Sequence, residues 1–135
     1  MKSYVADFET TTIPENCYVW AYAICEVGQE DVTIGNNIDD FMLWCESQKD
    51  NVKVFFHNLK FDGQFILHWL FKHGFRHVTD KERASRTFTT LISDKGLYYS
   101  IEVYFYVNGK KVNKVTFQDS LKLIPLSVDQ IAKAF

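Results

Sequence analysis

The chain has 135 residues, 47% of them hydrophobic, enough for one sizeable core and hardly for two. Lys and Arg total 15 against 17 Asp and Glu, a formal charge of −2, which excludes bulk positive potential as the main hold on a polyanion. Three cysteines without a CxxC pair argue against a disulfide scaffold and for a reducing, cytoplasmic setting, and no apolar run is long enough for a signal peptide or a membrane span.

In chain order, residues 3–8 and 18–27 are β-prone runs separated by a polar stretch from Thr10 to Asn16, which predicts two strands and a loop. Residues 31–34, bracketed by Gly28 and Gly35, predict a third strand. Ile38, Phe41, Met42 and Cys45 fall at helical spacing, so a helix should run from about 38 to 49 with Asn37 as its N-cap. Residues 52–56 suit a buried strand. Residues 61–73 return to helical spacing, with Phe65, Leu67, Leu70 and Phe71 as the apolar stripe and Gly74 where a C′ residue would stop it.

A charged loop over residues 81–86 precedes three β-prone runs at 87–93, 97–107 and 112–118. Their joints are Asp94-Lys95-Gly96 and Asn108-Gly109, the second a two-residue hairpin signal. Pro125 ends the segment that starts at Ser120, and Ser127 would cap a further helix. Strands interleaved with helices, then a meander, predict one α/β domain over residues 1–135, a mixed sheet with flanking helices and a β-hairpin. An RNase H-like architecture is one such layout.

Two places could carry chemistry. Asp7 and Glu9 flank Phe8 near the end of the first strand, where the period of two puts both carboxylates on one face about 7 Å apart and Ala6 and Phe8 on the other. They repel unless a cation sits between them. Hard oxygen ligands of this kind suit Mg²⁺ or Mn²⁺, and a pair of such ions can stabilise the attacking water and the leaving oxygen of a phosphodiester. The plainer reading of a D-x-E alone is a solvated strand end. The second place is Phe56-His57-Asn58-Leu59-Lys60-Phe61-Asp62-Gly63, between a buried strand and a helix. Asp62 at that helix's N-terminus is either a cap or a functional carboxylate. Gly63 would permit close approach, and Asn58 is an uncharged donor suited to a phosphate or base edge.

Asp7-Phe8-Glu9-Thr10-Thr11 resembles the first exonuclease motif of family B DNA polymerases, and Asn58-Leu59-Lys60-Phe61-Asp62 resembles their second, in the right order. Residues 56–62, with Asp119-Ser120-Leu121-Lys122, Val19-Trp20-Ala21-Tyr22 and Ile131-Ala132-Lys133, narrow the likeness to the protein-primed polymerases of small phages. The resemblance implies a 3′→5′ proofreading exonuclease that removes 3′-terminal nucleotides from single-stranded DNA. Asp7, Glu9 and Asp62 would hold two Mg²⁺ or Mn²⁺ ions. Thr10, His57, Asn58, Phe61, Phe65, Ser120 and Leu121 would position the 3′ end, Phe65 being equally a core residue of its helix. Further partners would be the polymerase remainder or a terminal protein.

The family's third motif, Tyr-x-x-x-Asp, follows the segment matched by residues 131–135, and the chain stops before it, so activity of the chain alone is left open. The alternatives are a non-catalytic module that binds single-stranded DNA or a replication partner, and a split subunit that needs a second chain. Asp119, Glu102 and Asp129 are spare carboxylates, but Asp119 precedes Ser120 in what resembles a DNA-contact motif, Glu102 sits mid-strand without a defensible spacing to Asp7, and none of the three is assigned to the site. His68, His73 and His77 with Cys45 lack the tight spacing of structural zinc. Tyr98, Tyr99, Tyr104, Phe105 and Tyr106 read as core and hairpin surface before they read as a base-stacking platform. The 81–86 loop and Lys110-Lys111 are candidate phosphate contacts beside the plainer reading of solvated loops.

Overall fold

The computed structural model describes residues 2–11, 14–79, 82, 84–92 and 99–119. Ser120, Leu121, Asp129, the Pro125 stop, the helix expected from Ser127, Tyr98 and the joint at 94–96 lie outside the described residues.

Eight strands make one mixed sheet: β1 (Lys2–Thr10), β2 (Val19–Glu26), β3 (Val32–Gly35), β4 (Val52–Phe56), β5 (Arg76–His77), β6 (Thr87–Ile92), β7 (Tyr99–Asn108) and β8 (Lys111–Asp119). Their order is β3-β2-β1-β4-β8-β7-β6-β5. The centre, β1-β4-β8, is parallel, and antiparallel β2 and β7 flank it. The carboxyl ends of the three central strands therefore share one edge, the edge at which open α/β sheets present their ligand sites. The mixed α/β expectation holds; β5 and the 3₁₀ turn at Pro14–Asn16 were not legible in the sequence.

Two helices, α1 (Ile38–Glu46) and α2 (Leu59–Lys72), pack on one face of the sheet. Asn37 caps α1 as expected, its Oδ1 accepting from the Asp40 amide at 2.7 Å. The core alternates along β4, where Val52, Val54 and Phe56 are buried with Lys53 and Phe55 between them, and Phe8, Phe41 and Phe56 meet edge to face.

Helix α2 departs from expectation in two ways. It begins at Leu59, and its buried stripe runs through Leu59, Asp62, Gly63, Ile66 and Leu70, while Phe65 and Leu67 are half-buried and Phe71 is 61% exposed. Apolar residues on several sides of a helix leave its facing ambiguous, and the tight seat of Gly63 decides it. A Cβ there would stand 3.2 Å from Tyr99 and 3.3 Å from Ile101 of β7. The C-terminus behaves as expected. Gly74 takes φ +81°, its amide donates to Phe71 O and the Phe75 amide to Leu70 O, the paired bonds of a Schellman motif.

The β7–β8 turn is displaced by one residue from the expected Asn108-Gly109. Asn108 pairs with Lys111 in the last rung, leaving Gly109 (φ +63°) and Lys110 as the turn. Asn108 stays in the strand because its side-chain amide donates to Tyr106 Oη at 2.9 Å, while glycine takes the first turn position, where a positive φ is required.

Candidate active site

The β1–β4 ladder ends at the rung Ala6–Phe56. Beyond it β4 turns at His57 and Asn58 into α2, whereas β1 continues through Asp7, Phe8, Glu9 and Thr10. That mismatch in strand length lays the first turn of α2 alongside the acidic end of β1. Ala6 and Phe8 point into the core and Asp7 and Glu9 to the opposite face, as the period of two predicted. Their partners across the antiparallel ladder are Ala23 and Ala21, whose methyl groups cannot reach over the carboxylates.

Asp62 is not a helix cap. It lies in the first turn of α2, 5% exposed, and its carboxyl is pushed up to about 7, first by burial and then by the charge of Asp7. Asp7 is pushed up to about 6 by burial and then by the charge of Glu9. The Phe8 backbone N–H favours the charged form of both and offsets part of each rise, and His57 does the same for Asp7. Three carboxylates from two elements thus repel one another in a partly desolvated place. Among the described residues no three His, Cys, Asp or Glu side chains converge into a preformed metal cluster.

Asn58 occupies the N-cap position of α2 but makes no side-chain cap bond; only its carbonyl serves the helix, accepting from the Phe61 and Asp62 amides. The side chain is exposed beside the carboxylates, as is that of His57. Phe61, 41% exposed, meets Phe65 edge to face at 5.5 Å, and Phe65 in turn leans on the core. Thr10 sits at the irregularity where β1 and β2 slip register. The structure therefore brings Asp7, Glu9, Thr10, His57, Asn58, Phe61 and Asp62 to one edge.

Asp119 ends β8 at that same edge, paired with Phe56, whereas Glu102 sits mid-strand on β7 and accepts from Tyr104 Oη at 2.9 Å. The sequence reading missed Thr11, which clasps the β1–β2 loop by donating to Asn16 O and accepting from the Tyr18 amide. That clasp leaves Tyr18 and Trp20 about half exposed beside the acidic strand end. Both lay in an apolar run that reads as strand core, so no signal singled them out.

The histidines lead elsewhere. His73 stacks on Trp69, whose Nε1 donates to Asp39 and ties α2 to α1, and His77 lies against Thr90. Cys45 is wholly buried in the core.

The fold is a mixed α/β sheet with a parallel centre and carboxylates at its strand ends, and comparison with known proteins gives the family. The model of DNA polymerase type B, organellar and viral, matches residues 44–135, and the chain belongs to that family. It is 45% identical over 136 residues to the DNA polymerase of Bacillus phage Nf and 42% identical over 135 residues to that of Bacillus phage phi29. The DNA polymerase of Streptococcus phage Cp-1 is 30% identical over 145 residues. These matches cover 98–99% of this chain and 23% of each relative, in the relatives' N-terminal region. Among solved structures, phi29 DNA polymerase complexed with primer-template DNA superposes with a TM-score of 0.80 at 39% identity, covering 99% of this chain and 23% of that one. The same polymerase complexed with single-stranded DNA gives 0.79 at 38% identity, covering 98% and 23%. Among the described residues no helix is long and apolar enough to cross a membrane.

Proposed function

We propose that this chain carries the 3′→5′ proofreading exonuclease site of a phage-type DNA polymerase, removing 3′-terminal nucleotides from single-stranded DNA. The observation that supports it most is the pairing of Asp7 with Asp62. Two carboxylates from separate elements are held with raised pKa values, a state that leaves negative charge uncompensated at the sheet edge.

The donor set fits Mg²⁺ or Mn²⁺. It is all oxygen, and Asp7, Glu9 and Asp62 repel one another for want of a counter-charge. The lack of a preformed cluster fits too, because Mg²⁺ is commonly held by one or two carboxylates together with substrate phosphates. Two such ions, when bound, stabilise the attacking water and the leaving oxygen of the phosphodiester. The chain's other residues bind and orient. Phe61, backed by Phe65, offers a ring face to a terminal base, the Asn58 amide can donate to a phosphate or base edge, and Thr10 and His57 line the same edge. Ser120 and Leu121 complete this set in the family resemblance. A frayed 3′ end is preferred because bringing it here costs less unstacking than a paired end.

A second reading is that the chain holds single-stranded DNA without cutting it, alone or until another chain completes the site. Digestion of 5′-labelled single-stranded DNA with Mg²⁺ or Mn²⁺, beside Asp7→Ala/Glu9→Ala and a binding titration in EDTA, separates the two. A ladder that vanishes in the variant supports the exonuclease. Tight binding with no ladder supports the second reading.

A further inference from the structure

At the edge of the sheet opposite the carboxylates lies a groove of about 490 Å³ lined by Gln48, Lys49, Tyr106, Lys111, Val112 and Asn113. The nine residues of β8 separate it from the acidic edge, roughly 25 Å at strand rise. Its walls are pinned. Asn113 Nδ2 donates to Glu46 O at 2.9 Å, and the Lys114 amide donates to Asn51 Oδ1 at 2.9 Å, so the turn end of the β7–β8 hairpin is tied to the end of α1 and the segment that leads into β4.

Two features of this groove call for one kind of ligand. Lys49 and Lys111 are exposed on facing walls, and from Phe105 to Gln118 the hairpin carries Lys110, Lys111 and Lys114 with no acidic residue, in a chain whose formal charge is −2. Glu46, the last residue of α1, and Asp50, in the turn after it, are acidic, so a polyanion would be gripped mainly from the hairpin side. Tyr106 is 44% exposed, and its hydroxyl accepts from Asn108, which holds the ring in place.

We infer that this groove binds an unpaired nucleotide of a single DNA strand, with phosphates on Lys49 and Lys111 and the base against Tyr106. A free phosphate would use only the lysines, and an acidic peptide has no ring for Tyr106. A paired base stacked in a duplex does not offer its face. Cleavage is not required, so the inference is independent of the exonuclease reading.

The test is titration of the full chain with a short oligodeoxyadenylate in EDTA, followed by fluorescence anisotropy and by backbone amide NMR shifts. Amides from Tyr106 to Lys114 should shift. The exposed-site variant Lys49→Ala/Lys111→Ala should weaken binding about 5-fold and lower the slope of log affinity against log salt by about 1.4, at about 0.7 per phosphate on single strands. Tyr106→Ala should weaken binding without changing that slope. Asp7→Ala/Glu9→Ala should leave the groove shifts in place, so a missing nuclease ladder and a silent groove are separate results. Shifts confined to the edge around Asn58 and Phe61, with the lysine variant binding as well as the parent, would overturn the inference. So would an oligoglutamate that moves the groove amides at lower concentration than the oligonucleotide.

Discussion

Asp62, in the first turn of α2, feels the charge of Asp7 on β1 more strongly than that of any other side chain, although 55 positions separate them (62 − 7). Both carboxyls are raised, to about 7 and about 6, from an ordinary value of 3.8. The folded chain therefore binds more protons than the unfolded chain between about pH 4 and 7. The pair's contribution to stability is full below about pH 4 and is lost as pH rises through 6 to 7. Asp62→Asn should raise stability at pH 8 by about 1–2 kcal/mol, seen as a higher melting temperature, and leave it nearly unchanged at pH 4.5. Equal effects at both pH values would sink this account.

Under the proposed function, the same titration should govern metal affinity. Mg²⁺ or Mn²⁺ should raise the melting temperature at pH 8, where the carboxylates are charged, and lose that effect near pH 5, where protons compete for the same oxygens. Isothermal titration of parent and Asp62→Asn at the two pH values checks this. Binding that persists in the variant would place the ions elsewhere.

Two asparagines at N-cap positions should respond differently to alanine. Asn37 caps α1 with its side chain, so Asn37→Ala should cost about 1 kcal/mol by urea unfolding. Asn58 makes no such bond, so Asn58→Ala should cost under about 0.5 kcal/mol while weakening single-strand binding about 10-fold. A full capping loss at Asn58 would return it to a structural role.

Phe61 and Phe65 touch, yet only Phe65 leans on the core. Phe61→Ala should leave unfolding nearly unchanged and reduce single-strand affinity by about 1–3 kcal/mol, the usual range for one stacked base. Phe65→Ala should lower both, with about 2 kcal/mol lost from stability. Comparison of unfolding midpoints with binding isotherms tells the two apart.

Gly74 reads as a helix stop from sequence and takes φ +81° with both Schellman bonds. Gly74→Ala should cost about 1 kcal/mol because the left-handed conformation is strained for any L side chain. An unchanged melting temperature would mean that the terminus relaxes to another turn.

Local signals made much of this protein legible in its sequence. The alternation of Asp7 and Glu9 against Ala6 and Phe8, the Asn37 cap, the Gly74 stop and the strand at 52–56 each depend on neighbours within a few residues. Steric and hydrogen-bonding preferences act at that range whatever the rest of the chain does. The displaced β7–β8 turn shows the limit of such signals, since Gly109 marked the turn but the Asn108 side chain set its register. The order β3-β2-β1-β4-β8-β7-β6-β5 was decided only in three dimensions, as were the choice of Ile66 over Phe65 and Phe71 for the buried stripe and the freedom of the Asn58 amide. So was the meeting of Asp62 with Asp7. These depend on strands pairing across long stretches of chain and on how closely Gly63 lets α2 approach β7. Burial and charge then act between residues that the linear order keeps far apart.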